Sequence, residues 1–249
     1  MRINLQWARD YIKSKWFNVY YIALYWSQNY WLDTEKSDID YKCIILPTLD
    51  DLVNNSKPYS SVFDFEWWQI DVKDIRAYLD SAVKCNINFI EILNTEYYLW
   101  DTSLREYFIP LQEQLWQLYL KACYWMILEK SEALRHKYPS TADKIEKYGY
   151  DPKQLHHIIR LRLLMQRYVI WDIWNYKHTG NEQSELIWIK NWNISNEEAT
   201  VMADRNIYIA KQIRDAYVKE MTFEAKQEII EKWKQIIKEF IITSIQLWK

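Results

Sequence analysis

Glycine is almost missing from this chain. Its 249 residues carry 2 glycines and 15 tryptophans, where average usage of about 7% would supply roughly 17 glycines. Glycine is the default residue wherever the backbone needs a positive φ, so turns and helix ends here must be built from other residues. Several tryptophans stand where glycine chemistry is expected. Trp67-Trp68 lies between two strand-like segments, in the manner of a Gly-Gly turn, and Trp192 falls within the turn-like Lys190-Asn191-Trp192-Asn193. Two readings remain open. In one, the source reads a stop-type codon as glycine, and that codon stands here as tryptophan. In the other, the chain is aromatic-rich with few turns. Trp188 and Trp233 lie in apolar-periodic stretches that suit genuine tryptophan.

The remaining composition bounds the class. Apolar residues at 49% and charged residues at 27% exclude a disordered or fibrous chain. The length allows one large domain or two small ones with a real core. A net charge of −2 advertises no global polyanion field, so any nucleic-acid or phosphate site must be local. Cys43, Cys85 and Cys123 are odd in number and form no C-x-x-C, which points to reduced thiols and a cytoplasmic location. The mixed, charged residues 1–15 hold no secretory core, and the apolar run 19–26 is too short to span a bilayer. No membrane partner is expected.

Periodicity divides the chain. Residues 5–17 have a helical pattern; 19–25 are short, apolar and rich in β-formers; 37–46 read as a second strand ended by Pro47. Thr48, with Asp50 and Asp51 behind it, looks like the cap of a short helix. Residues 54–60 form a polar loop. Residues 61–66 and 69–72 read as a hairpin, and 74–84 and 89–93 as helices. From residue 103 long helical patterns dominate, over 104–137, 152–169, 196–219 and 223–247. In the last, Ile230, Trp233, Ile237 and Phe240 step by three and four into one apolar stripe, read as core packing. Residues 186–190 read as a short strand or extended segment. The expectation is an α+β chain: a small mixed β-sheet core with flanking helices over 1–100, then a helical region over 101–249.

Asp38 and Asp40 are two apart on an expected strand, so their carboxylates point to one face and can converge on the same hard cation. Mg2+ favours one or two carboxylates plus substrate phosphate oxygens, and a pair of such ions can hold both oxygens of an in-line phosphoryl displacement. A D-x-D alone is also what an exposed strand end carries. The context adds weight. A strand runs into Trp26-Ser27, then a short polar turn with Tyr30, Trp31, Leu32 and Thr34, then Ser37-Asp38-Ile39-Asp40.

Read with glycine at 26 and 31, this segment resembles the G-S…D-x-D signature of the polymerase β nucleotidyltransferase superfamily. It is most similar to the RNA repair pathway DNA polymerase β family. The resemblance covers roughly residues 19–93 and 149–162, through Asn86…Glu91-x-Leu93 and through Gly149-Tyr150-x-x-Lys153…His157-x-x-Arg160-Leu161.

The resemblance implies a metal-dependent nucleotidyltransferase. Such an enzyme moves a nucleoside monophosphate from an NTP to a hydroxyl acceptor and releases pyrophosphate. Asp38 and Asp40 would bind two Mg2+ ions, with Mn2+ as an alternative. A third acid is implied on a neighbouring strand: Asp71 first, with Asp64 and Glu66 as weaker candidates, and a helix-capping role as the plain reading of Asp71. Trp26, Ser27 and Tyr30 would surround the nucleotide phosphates. The acceptor would be an RNA end, a protein or a small molecule. A non-catalytic nucleotide- or RNA-binding module of the same fold is the alternative.

An indole at 26 departs from the pattern, because it takes up space the triphosphate needs. Lys153, His157, Arg160 and Arg167 lie at helical spacing on one basic face, suited to phosphates. A solvated charged face is the plain reading of the same residues. Asn86 is read as a helix cap and Glu91 as structural. Walker A, H-E-x-x-H, G-x-S-x-G and zinc-type spacings are absent.

Overall fold

The computed structural model describes residues 4–35, 37–66, 68–99, 102–172, 175–191, 194–219 and 221–247. They form two compact units: residues 1–115 with 220–249, and residues 116–219.

The first unit is built on a mixed five-stranded sheet of order β3-β4-β2-β1-β5. Its strands are β1 (Asn18–Leu24), β2 (Ile39–Leu46), β3 (Ser60–Asp64), β4 (Trp68–Asp74) and β5 (Tyr98–Leu99). β1 pairs antiparallel with β2 and β5, and β3 antiparallel with β4. β2 and β4 are parallel, in the register Asp40 to Gln69 and Lys42 to Asp71.

Alternation sorts the sheet into two faces. Ile39, Tyr41, Cys43 and Ile45 of β2, with Ile70 and Val72 of β4, pack with Ala8 and Ile12 of the helix α1 (Leu5–Ser14). Burying this apolar face contributes about 25 cal/mol per Å2 of surface removed from water. The intervening residues Asp40, Lys42, Gln69 and Asp71 therefore occupy the opposite face.

Local chemistry fixes the helix starts. Thr48 and Asp51 form a reciprocal capping box on α2 (Leu49–Val53). Asp74 caps α3 (Ile75–Val83) and Asn86 caps α4 (Ile87–Ile90), which runs into a 3-10 turn at Glu91–Leu93. The expected hairpin forms, but Trp68 is a β4 strand residue opposite Ile39 rather than a turn. Its ring sits 4.3 Å from that of Trp7. Trp67 and Trp192 lie outside the described residues.

The expected helix over 104–137 is two helices, α5 (Thr102–Gln114) and α6 (Trp116–Ala133), broken at the buried Leu115 where one unit gives way to the other. The last helix, α11 (Phe223–Leu247), rejoins the first unit. Its stripe is core, as read: Trp233 is fully buried with its ring 4.4 Å from Phe108 of α5, and Phe240 meets Tyr20. The apolar pairing of α11 with α5 is why the division does not fall at residue 100.

The second unit is helical: α6, α7 (Ala142–Tyr148), α8 (Pro152–Val169), α9 (Gly180–Lys190) and α10 (Asn196–Tyr217). Residues 186–190 are the end of α9, not an extended segment. A β-rich pentapeptide carries no strand once the helix around it supplies its backbone partners. Asp151 caps α8 with Pro152 at its first turn, and Ser195 with Glu198 forms a capping box on α10. The chain is thus α+β, a mixed sheet with flanking helices and a helical region after it. Among the described residues no helix is long and apolar enough to cross a membrane.

Candidate functional site

The C-terminal end of β1 carries the first half of the candidate site. Tyr25 N–H donates to the Asp40 carbonyl at 3.1 Å, so β1 and β2 remain paired up to the point where the chain turns away. Residues 26–32 then close a single tight turn. Tyr30 N–H donates to Trp26 O (3.1 Å), Trp31 N–H to Gln28 O (3.3 Å) and Leu32 N–H to Ser27 O (2.8 Å). Two side chains anchor this turn. Trp26 N–H donates to Glu91 Oε1 at 3.2 Å, and Gln28 Nε2 donates to the Asp38 carbonyl at 2.5 Å. Glu91 is completely buried.

Asp38 is exposed immediately before β2, and Asp40 is 8% exposed on its second residue. Strand alternation sets Asp40 on the face opposite α1, two residues after Asp38. Lys42 follows on that face, and the sequence analysis did not single it out. Its Nζ lies 2.5 Å from Asp71 Oδ2, 4.0 Å from the Phe89 ring centre and 4.3 Å from that of Tyr25. Burial lowers the Lys42 ammonium below the ordinary lysine range, while Asp71 and Asp40 pull it back up. The Tyr25 hydroxyl is raised, first by burial and then by Asp40, Asp71, Glu91 and Asp64. This corner of the unit therefore gathers carboxylates around the buried Lys42, with Lys73 Nζ 4.0 Å from Asp71 Oδ1 on its flank. The signal for Lys42 was present in the sequence, as the next member of the i, i+2, i+4 series that begins at Asp38.

Asp71 lies on the neighbouring parallel strand and on the same face, as the resemblance implied. It does not cap α3, a role that Asp74 fills. Its carboxylate is paired with Lys42. The β2–β4 register aligns Asp40 with Gln69 and Lys42 with Asp71, so Asp71 is one step further along and is paired with a lysine. Among the described residues no group of three or more His, Cys, Asp or Glu side chains is placed to hold a metal ion. Asp38 and Asp40 suit a hard divalent cation that completes its shell with substrate oxygens. Asp64 accepts from Gln69 Nε2 at 2.7 Å, and Glu66 is exposed beyond the end of β3.

The residues expected around the phosphates separate. Ser27 is half-buried, and its Oγ is 3.2 Å from Gln28 Oε1. Trp26 is half-buried too, with its ring against Tyr25 and its Nε1 3.4 Å from Asn88 Oδ1. Tyr30 is 2% exposed, so its ring supports the turn from inside the unit instead of facing a ligand.

In the second unit, the basic residues of α8 share a face, but the face turns inward. Lys153 is exposed, His157 half-buried and Arg160 buried. Arg160 Nη2 approaches His157 Nδ1 at 3.5 Å. Burial, then Arg160, holds His157 well below the ordinary histidine range. Its neighbour His156 is pushed down to about 3 by the same causes. Arg167 is committed to Glu182, with His178 beside both. The apolar packing of α8 governs this, since ten of its residues are buried.

The three cysteines are buried free thiols. Burial raises Cys43, and pushes Cys85 up to about 12.

No family model matches the chain, and no curated protein matches it. Among solved structures it is similar to the crystal structure of a nucleotidyltransferase-like protein from Exiguobacterium sibiricum 255-15, at 11% identity and a TM-score of 0.31, over 86% of this chain and 75% of that chain. So distant a likeness carries no functional weight.

Proposed function

We propose that the first unit is a nucleotidyltransferase that moves a nucleoside monophosphate from an NTP to a hydroxyl acceptor. What supports this reading is Asp40 on the open face of β2, with Asp38 two residues before it and its carbonyl held by Gln28 of the turn that Glu91 anchors at Trp26. In the reaction the acceptor oxygen forms a bond to the α-phosphorus. The bond from that phosphorus to the bridging oxygen breaks, pyrophosphate leaves, and the acceptor hydroxyl loses its proton. Asp38 and Asp40 would hold Mg2+, which offsets the charge of the triphosphate. Ser27 and the turn beside it would orient the β- and γ-phosphates. Catalysis would come from positioning and charge stabilisation. An RNA end, a protein or a small molecule would serve as acceptor.

A second reading has its own support. The Lys42–Asp71 pair occupies the third-acid position and Trp26 puts an indole at the turn, which favours a module that binds nucleotide or RNA without turning it over. Mg2+-dependent incorporation of α-labelled NTP into product separates the two. The first reading expects incorporation, with a loss of roughly a hundredfold or more in Asp38→Ala and in Asp40→Ala. Activity that survives both substitutions would remove the site. Binding without incorporation, at any acceptor, would select the second reading.

A further inference from the structure

Six described residues other than glycine have a left-handed backbone, and four of them are tryptophan: Trp16 (φ 68), Trp26 (φ 62), Trp31 (φ 60) and Trp171 (φ 61). Positive φ is uncommon for any residue with a Cβ and is a genuine outlier for a bulky one. Both glycines of the chain share this conformation, Gly149 at φ 79 and Gly180 at φ 57.

The local hydrogen bonds say what these positions are. Trp31 N–H donates to Gln28 O and Leu32 N–H to Ser27 O. Trp171 N–H donates to Tyr168 O (3.2 Å) and Asp172 N–H to Arg167 O (2.9 Å). Each is a paired closure on a left-handed residue, at the end of α8 for Trp171 and in the turn after β1 for Trp31, a place glycine usually takes. Trp16 follows Lys15, the cap of α1, with its N–H on Lys13 O at 2.9 Å. Gly149 is the left-handed cap of α7, its N–H on Ile145 O. Trp26 makes the turn out of β1.

The side chains are engaged unevenly: the Trp26 ring packs on Tyr25 and the Trp171 ring lies 5.6 Å from that of Trp116. Trp16 is 93% exposed and Trp171 60% exposed. Asn55 and Cys85 fill two further helix ends of this kind. Asn visits the left-handed region routinely, and Cys85 shows that the fold tolerates one exception. Trp233 is the opposite case, fully buried against Phe108 in the middle of a helix.

We propose that the working protein carries glycine at 16, 26, 31 and 171, with the codon for these positions read as glycine in its source. Trp233 is genuine. The inference is independent of the catalytic reading, but it bears on the site. Glycine at 26 and 31 presents bare backbone, not indole, beside Asp38 and Asp40.

Peptide mass analysis of the protein isolated from its source is the test. Glycine at all four positions, with tryptophan at 233, is the expected result. Tryptophan at 26 and 31 overturns the proposal. Independently, in the full chain, Trp16→Gly and Trp171→Gly should each shift the unfolding equilibrium toward the folded state by roughly fivefold or more over the matching alanine variants. Glycine variants no better than alanine also overturn it. Neither substitution touches the acids of the first unit. A glycine form that incorporates no nucleotide therefore counts against the catalytic reading alone.

Discussion

In β2 charged residues alternate with apolar ones, and in α8 basic residues recur every three or four positions, yet the two series have different fates. Strand alternation delivers Asp40 and Lys42 to one face while Tyr41 and Cys43 fill the core behind. What each charge then meets depends on the register with β4, which sets Asp71 against Lys42 instead of beside Asp40. In α8 the helical period aligns Lys153, His157 and Arg160 equally well, but the helix is packed on most sides, so only Lys153 remains in solvent. Periodicity fixes which residues face together. It does not fix what that face looks onto.

Breaking the sheet pair should have the largest effect. Lys42→Met leaves the Asp71 carboxylate, 14% exposed, without its closest cation, at a cost of about 3–5 kcal/mol. The double variant Lys42→Met with Asp71→Asn should recover most of that loss in urea unfolding. A double variant as unstable as the single one would show that the pair is not what matters. In the helix, Arg160→Ala should cost about 2–4 kcal/mol, chiefly through lost packing of its buried stem. A stability change within about 0.5 kcal/mol would instead place Arg160 on the solvated phosphate-binding face first expected.

Acid should separate the two units. All four histidines lie in residues 116–219. The folded His156 is held at about 3 against an ordinary 6.5, and His157 is also lowered. The unfolded chain therefore binds these protons first, and stability is full above about pH 6.5 and lost as pH falls toward 3. The slope approaches about 1.4 kcal/mol per pH unit for each histidine. Hydrogen exchange at stepped pH should show the helical unit opening first. His156→Leu should flatten its pH dependence, and equal protection of both units down to pH 4 would refute this ordering. The smallest effect belongs to Lys153→Ala, within about 0.5 kcal/mol for stability. Should it weaken nucleotide binding in titration calorimetry, the exposed start of α8 regains a ligand role.

Much of the local structure could be read directly. The caps at Thr48 and Asn86 and the stripe of α11 follow from short-range hydrogen bonding and period. Other features could not. The break at Leu115, the helical state of residues 186–190 and the burial of Tyr30 depend on neighbours far away in the chain. The deficit of glycine was visible as composition, but composition could not say which tryptophans sit at glycine positions. Trp68 looked like a turn and is a strand residue, whereas Trp16 and Trp171 drew no notice and have left-handed backbones.

The sequence alone determined that Asp40 and Lys42 share a face, because that follows from a two-residue repeat within one strand. Only the tertiary structure decided that Lys42 captures Asp71 and that Arg160 is enclosed. Both depend on which residues of distant segments come to lie alongside, and no local spacing encodes the alignment of one strand with another or the side of a helix that the core will cover.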